Sequence, residues 1–289
     1  MKKIIPTIYK FILCLILFEY LIQSNSSYAF FPKINEPTQK ELESTSIQIG
    51  RTAIQLIQFG QANEAIKLLE LAIKLNPKEA SLWITLAEAQ VRSEKKDEAL
   101  LSLSEAIQLN PKEESIYFSK ASILIDLNEP QKAKDYIKKG LSINKNSERG
   151  YFQLGNTEIM LNNYEQALIE FKKSSKINSN FWQSINNEGL VLYELNNPKE
   201  AISKFKSAIA ISNNAEPKLA LAVVLFSSNT KFIEAINLAK NALKSNPKYI
   251  WEDYQSKQLW GTKLKKSAQL LFKTKEMKKV VREAKEKSE

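Results

Sequence analysis

Residues 80–113 read ASLWITLAEAQVRSEKKDEALLSLSEAIQLNPKE, and the same sparse pattern returns at constant spacing from Ser46 to Tyr249. The alanine at Ala99 has counterparts at Ala65, Ala133, Ala167, Ala201 and Ala235, each 34 residues from the next. Seven residues after each stands a second small residue: Ala72, Ala106, Gly140, Ser174, Ala208 and Ala242. Twelve residues before each stands a third, at Ala53, Ala87, Ala121, Gly155 and Gly189, and only Val223 breaks that series. A fixed period of this length marks stacked supersecondary units, none of which can bury its apolar face alone.

Each unit reads as helix, short turn, helix, turn. Five residues before each alanine stand Gly60, Glu94, Asn128, Asn162, Asn196 and Thr230, of which the glycine and the asparagines tolerate the left-handed conformation that closes a helix. The units end at or near Asn76-Pro77, Asn110-Pro111, Asn144-Lys145, Asn178-Ser179, Ser212-Asn213 and Asn246-Pro247, and proline does not continue a helix interior. Small residues at three recurring places are expected where two helices approach closely, because ridges must settle into grooves across a narrow gap.

Trp83, Leu86, Ala87, Ala99, Ala106 and Pro111 together resemble the tetratricopeptide repeat family, and the resemblance covers residues 46–249. It implies an all-α fold, a right-handed superhelical solenoid of six helix-turn-helix repeats: 46–79, 80–113, 114–147, 148–181, 182–215 and 216–249. The chain departs from the family at Lys120, Glu158 and Glu188, where larger apolar groups are usual, and at Lys145, Ser179 and Asn213, which replace the closing proline. By the same resemblance the first helices line a groove that grips an extended or helical segment of a client protein or peptide. The inward side chains would be Ile84, Glu88, Val91, Phe118, Ser122, Ile125, Phe152, Asn156, Ile159, Asn186, Leu190 and Tyr193. Ile84, Phe118 and Phe152 stand where some relatives carry cations for acidic chaperone tails, so an apolar anchor is expected instead; the alternative is that the rings pack only between neighbouring first helices.

The chain contains no histidine and one cysteine, Cys14. Ser-His-Asp and Cys-His arrangements, histidine-containing metal sites, zinc sites of several thiolates and intrachain disulfides are thereby excluded. We expect no catalytic residue, no metal, no cofactor and no small-molecule substrate. Gly150 to Thr157 comes close to a phosphate-binding loop, but Asn156 stands where the lysine is needed and no strand precedes it.

Residues 1–29 read as an export signal: Lys2 and Lys3, the apolar run Phe11 to Ile22, then Ser27-Tyr28-Ala29 as a cleavage site. The alternative is an uncleaved N-terminal membrane anchor. An exported protein of the periplasm or thylakoid lumen, associated with a membrane, is expected. Residues 30–45, with two prolines and no periodicity, read as a linker whose Phe30 and Phe31 could dock into the repeat groove. Residues 250–289 break the repeat and read as a capping helix and basic tail, with Ile250, Trp251, Tyr254, Leu259, Trp260 and Leu264 covering the open end of the last unit. Beyond Trp260 ten cations face four carboxylates, out of a formal net charge of +10 for the whole chain. Lys263, Lys265, Lys266, Lys273, Lys275, Lys278, Lys279 and Arg282, beside Leu270, Leu271, Phe272, Val280 and Val281, would suit an anionic membrane surface. Otherwise they form a solvated helix face. No base-reading module is visible, so nucleic acid is not an expected partner.

Overall fold

The computed structural model describes residues 36–288. The expected signal or anchor at 1–29, and Phe30 and Phe31, lie outside them. Two compact units divide the chain, Met1–Leu42 and Glu43–Glu289. In the first, Thr38 forms a reciprocal helix-start box: its Oγ1 accepts the Glu41 N–H at 3.3 Å while the Glu41 carboxylate accepts the Thr38 N–H at 2.8 Å. Helix α1 (Gln39–Gln58) therefore begins inside the segment read as linker, which corrects the expected end of that linker at residue 45.

The second unit is an all-α solenoid, with no strand among the described residues. Its helices are α2 (Ala62–Leu75), α3 (Ala80–Arg92), α4 (Lys96–Leu109), α5 (Glu114–Asp126), α6 (Pro130–Ile143), α7 (Glu148–Met160), α8 (Tyr164–Ile177), α9 (Trp182–Glu194), α10 (Pro198–Ile211), α11 (Ala215–Ser227) and α12 (Phe232–Ser245). Beyond them lie α13 (Glu252–Lys257), α14 (Thr262–Phe272) and α15 (Lys278–Ser288). The second helices of the repeats start 34 residues apart from Ala62 to Phe232, and Pro130 and Pro198 occupy first positions, where no backbone donor is needed.

Local chemistry sets these boundaries. Gly60, Glu94, Asn128, Asn162 and Asn196 all adopt positive φ, between 58° and 77°. The residue after each returns its N–H to a carbonyl five back, as in Gln61 to Leu56 and Asn163 to Glu158, both at 2.8 Å, which closes the first helix with a Schellman turn. Each second helix ends on a residue whose N–H reaches the carbonyl of the second small site, from Asn76 to Ala72 through Asn246 to Ala242. The six periodic alanines are fully buried, as close helix contact requires.

The sixth repeat is shifted by one residue, and that shift explains both exceptions in the pattern. Asn229, not Thr230, takes the positive φ (50°), and Thr230 returns its N–H to Leu225 at 3.0 Å. Since α11 starts at Ala215 instead of 216, fully buried Ala222 takes the place assigned to Val223. The connection before α11 is one residue shorter than in the other repeats, and the turn after it is one residue longer.

Lys120, Glu158 and Glu188 are buried, the two glutamates in ion pairs and Lys120 against a hydroxyl and an aromatic face. Glu188 pairs with Lys204 at 2.6 Å and accepts from Ser175 at 2.5 Å, and Glu158 pairs with Lys134 at 2.8 Å and accepts from Asn163 at 2.9 Å. Lys120 bonds Ser104 and lies 4.9 Å from the centre of the Tyr136 ring. Paired charges thus fill two of the places where apolar groups were expected, and removing Lys134 or Lys204 would leave a buried carboxylate alone.

Candidate functional site

Twelve side chains were expected to share one groove, and the structure divides them into three sets. Ile84, Glu88 and Val91 on α3 and Ser122 on α5 meet in an open cleft of about 300 Å³, completed by Ala87, Leu103, Ser119, Ile123 and Asp126. Its floor is apolar, with Leu103 and Ile123 buried and Ile84 and Val91 half-buried. Glu88 and Asp126 stand exposed at the rim, and Glu88 pairs with Arg92 at 3.0 Å. This cleft lies across the first helices of the second and third repeats.

The second set packs between neighbouring repeats. A Cβ at Gly140 would come within 2.5 Å of the Phe118 ring, and one at Gly150 within 2.7 Å, so this ring is wedged against two glycine-bearing helices, α6 and α7. Phe152 packs on Phe181 and Phe171, with ring centres 5.0 and 5.8 Å apart, and Ile125 joins the cluster of Ala121 and Leu124. Asn156 accepts from Asn187 at 3.0 Å. Phe118 thus fills space that Gly140 and Gly150 leave open, and Phe152 is held between two rings of its own chain, so both rings are engaged within the solenoid.

The third set is covered by the chain itself. Ile159, Asn186, Leu190 and Tyr193 are all buried, and the residues that bury this side of the groove come from Leu259 onward. Helix α14 packs against α9 and α11, both first helices. It lies where a client segment was expected. Leu264, Ala268 and Leu271, spaced four and three residues apart, are fully buried and join the same core as Leu190, Tyr193 and Leu219.

Polar contacts fix the register of this docking. Glu194, the last residue of α9, accepts the N–H groups of Lys263 at 3.1 Å and Leu264 at 2.9 Å, so a carboxylate from one helix satisfies the free donors and positive end of another. Gly261 makes room for it, since a Cβ there would fall 2.2 Å from the Glu194 carboxyl carbon. The Lys263 ammonium donates to the Tyr193 carbonyl at 3.0 Å and to Asn196 at 2.8 Å, and sits 4.3 Å from the Tyr193 ring centre. The Tyr193 hydroxyl donates to Ser227 at 2.8 Å and lies 2.9 Å from the Ser267 hydroxyl. Trp260 donates its indole N–H to Glu216 at 3.0 Å. Burial pushes the Glu216 carboxyl up to about 7, against the hydrogen bonds from Trp260, Tyr249 and Asn186 that favour its ionised form.

The expected membrane-surface cations are also redistributed. Lys263 is committed to the groove, and Lys265 bonds Ser256 at 2.9 Å and faces Glu252 at 3.5 Å. Lys266, Lys273, Lys275, Lys278, Lys279 and Arg282 are exposed. Of the apolar groups beside them, Leu271 and Phe272 are spent on the protein core, while Leu270 remains 61% exposed. Helix α15 packs on α12 and the preceding 3-10 turn, burying Ala284 and closing the end of the last repeat. Trp251 stays exposed, in contrast with the capping role expected for it. Glu194 and Glu216, which hold the docked segment, carry no local sequence signal; their partners lie 69, 70 and 44 residues away.

Residues 56–123 match a family model described as tetratricopeptide repeat, and residues 114–147 and 148–181 match a second with the same description. No curated protein matches the chain. Among solved structures, pilF of Pseudomonas aeruginosa is similar at 16% identity and a TM-score of 0.63, over 76% of this chain and 99% of its own. PilW, described as a widely conserved type IV pilus biogenesis factor, is similar at 19% identity and 0.62, over 73% and 97%. YrrB, described as having an unusual peptide-binding site, is similar at 18% identity and 0.51, over 64% and 92%. At such identities the likeness is one of fold.

Proposed function

We propose that the chain, whose residues 56–181 match tetratricopeptide repeat models, is a non-catalytic scaffold whose open cleft over the second and third repeats holds a segment of a client protein. One observation carries this reading: the same row of first helices already holds a helix of the chain at α9 and α11, while its continuation at α3 and α5 is apolar, concave and unfilled. The mechanism is positioning. A client helix or strand would lay one or two apolar side chains on Ile84, Val91 and Ile123, with Glu88 and Asp126 selecting a basic flank. The peptide-binding and pilus-biogenesis descriptions of similar structures support a role in assembling or maintaining a membrane protein complex. Residues 1–29, read as an export signal or anchor, would place that work outside the cytoplasm, in a periplasm or thylakoid lumen.

The test is a pair of double variants. Ile84→Glu with Val91→Glu should leave the helical signal intact and abolish retention of the client. Phe118→Leu with Phe152→Leu should lower stability and leave retention per folded molecule unchanged. Client retention untouched by the first pair would remove the cleft as the site.

A further inference from the structure

The second position of the second helix is exposed in all six repeats, and its occupants are Asn63, Asp97, Gln131, Glu165, Lys199 and Ile233. Five are polar, as water contact favours. Ile233 is 76% exposed, and its neighbour Phe232 is 43% exposed. Both follow the lengthened turn of the shifted sixth repeat, in which Lys231 is held at a φ of 53°. The extra residue carries this apolar pair on an unusual turn and leaves it in solvent.

A second apolar group lies beside that turn. Leu270 on the outer face of α14, 61% exposed, lines one cleft of about 600 Å³ with Phe226 and Phe232. Lys266 and Lys273 stand four residues before Leu270 and three after it, so all three share the outer face of the helix. Both lysines are exposed, and among the described residues neither forms an ion pair. Helix α14 carries no carboxylate. The carboxylate beside this cluster, Glu234, is paired with Lys231 at 3.0 Å, so the unpaired charges at its border are the two lysines, and such a patch is complementary to a surface with an apolar interior and negative headgroups.

We propose that the α11–α12 turn and the outer face of α14 form a docking surface for anionic lipid bilayers, with Phe232, Ile233 and Leu270 entering the headgroup layer and Lys266 and Lys273 meeting lipid phosphates and carboxylates. This surface uses the outer face of α14 because the inner face of that helix is taken up in the groove. The surface is independent of the client cleft on α3 and α5.

A label at position 233 or 270 separates this contact from any anchoring by residues 1–29. In the full chain with Cys14→Ser, an environment-sensitive fluorophore is attached at Ile233→Cys, at Leu270→Cys, or at Leu101→Cys as an exposed control elsewhere. Vesicles of phosphatidylcholine and phosphatidylserine at roughly three to one should move the first two labels into lipid and leave the third in water. Pure phosphatidylcholine should weaken that response about tenfold, as should Lys266→Glu with Lys273→Glu. Labels at 233 and 270 that stay in water on vesicle-bound protein would overturn the proposal. So would a response indifferent to lipid charge, or burial of those labels only when a protein partner is added.

Discussion

Truncating Leu264 to alanine should release α14 from the groove while leaving the other repeats in place. Leu264 is fully buried between α9 and α11, and α14 has no room to collapse around a void because Glu194 holds its first turn. Loss of the buried methyl groups, with the cavity they leave, costs about 2–5 kcal/mol. At about 1.4 kcal/mol per tenfold, protection of the α14 amides should fall between about thirtyfold and a few thousandfold. Coupling in a solenoid runs between neighbours, so the loss should reach α9 and α11 and fade before α3 to α5. Native-state hydrogen exchange read by peptide mass measures this directly. Unchanged protection in α14 would mean that the helix is not held by this contact. Uniform loss from α1 onward would mean that the tail and all repeats open as one unit, and both outcomes would refute local docking.

Four other substitutions bear on the same picture. The folded-state pKa of Glu216, about 7, is above its ordinary value of 4.5, so the folded chain holds this proton more tightly and stability should fall as pH rises from 4.5 to 7. The loss should be on the order of 2–3 kcal/mol in the unfolding free energy from urea titrations, Glu216→Gln should flatten that part of the profile, and parallel profiles for the two proteins would contradict it. Ala201→Leu should force α10 from its neighbours at a cost of about 1–3 kcal/mol, with exchange protection lost mainly in the adjoining repeats. A Cβ on Gly155 would fall 2.6 Å from the Phe171 ring, so Gly155→Ala should cost about 1–3 kcal/mol in thermal unfolding, and adding Phe171→Leu should recover part of it. Strictly additive losses in that pair would rule out the steric explanation.

Sequence periodicity exposes the helices because close packing at Ala65 and its five counterparts tolerates only small side chains, and because Gly60, Asn128, Asn162 and Asn196 are suited to positive φ. Glu94 adopts the same conformation without that suitability, since the flanking helices over-determine it. The shift in the sixth repeat was visible as Ala222 and Asn229, one residue before the expected places, but a strict period of 34 hides a deletion and an insertion that cancel. One of the three sets of groove residues was legible in the same way: Ile84, Glu88, Val91 and Ser122 line the open cleft. The covering of the third set was not, because the fate of α14 rests on pairs such as Glu194 with Leu264 and Tyr193 with Ser267. A basic segment with an apolar stripe looks the same in sequence whether the stripe meets a bilayer or its own solenoid.

Photo-crosslinking from three positions in the full chain gives the most direct test of a groove filled by its own helix at one end and open to a client at the other. A benzophenone side chain at Val91 should yield an adduct with the client. The same group at Leu190 should yield an internal adduct within residues 259–272, and at Ser207, on an exposed face of α10, neither. Client adducts from Leu190 with no internal product, or a client captured equally from Ser207 and Val91, would contradict it.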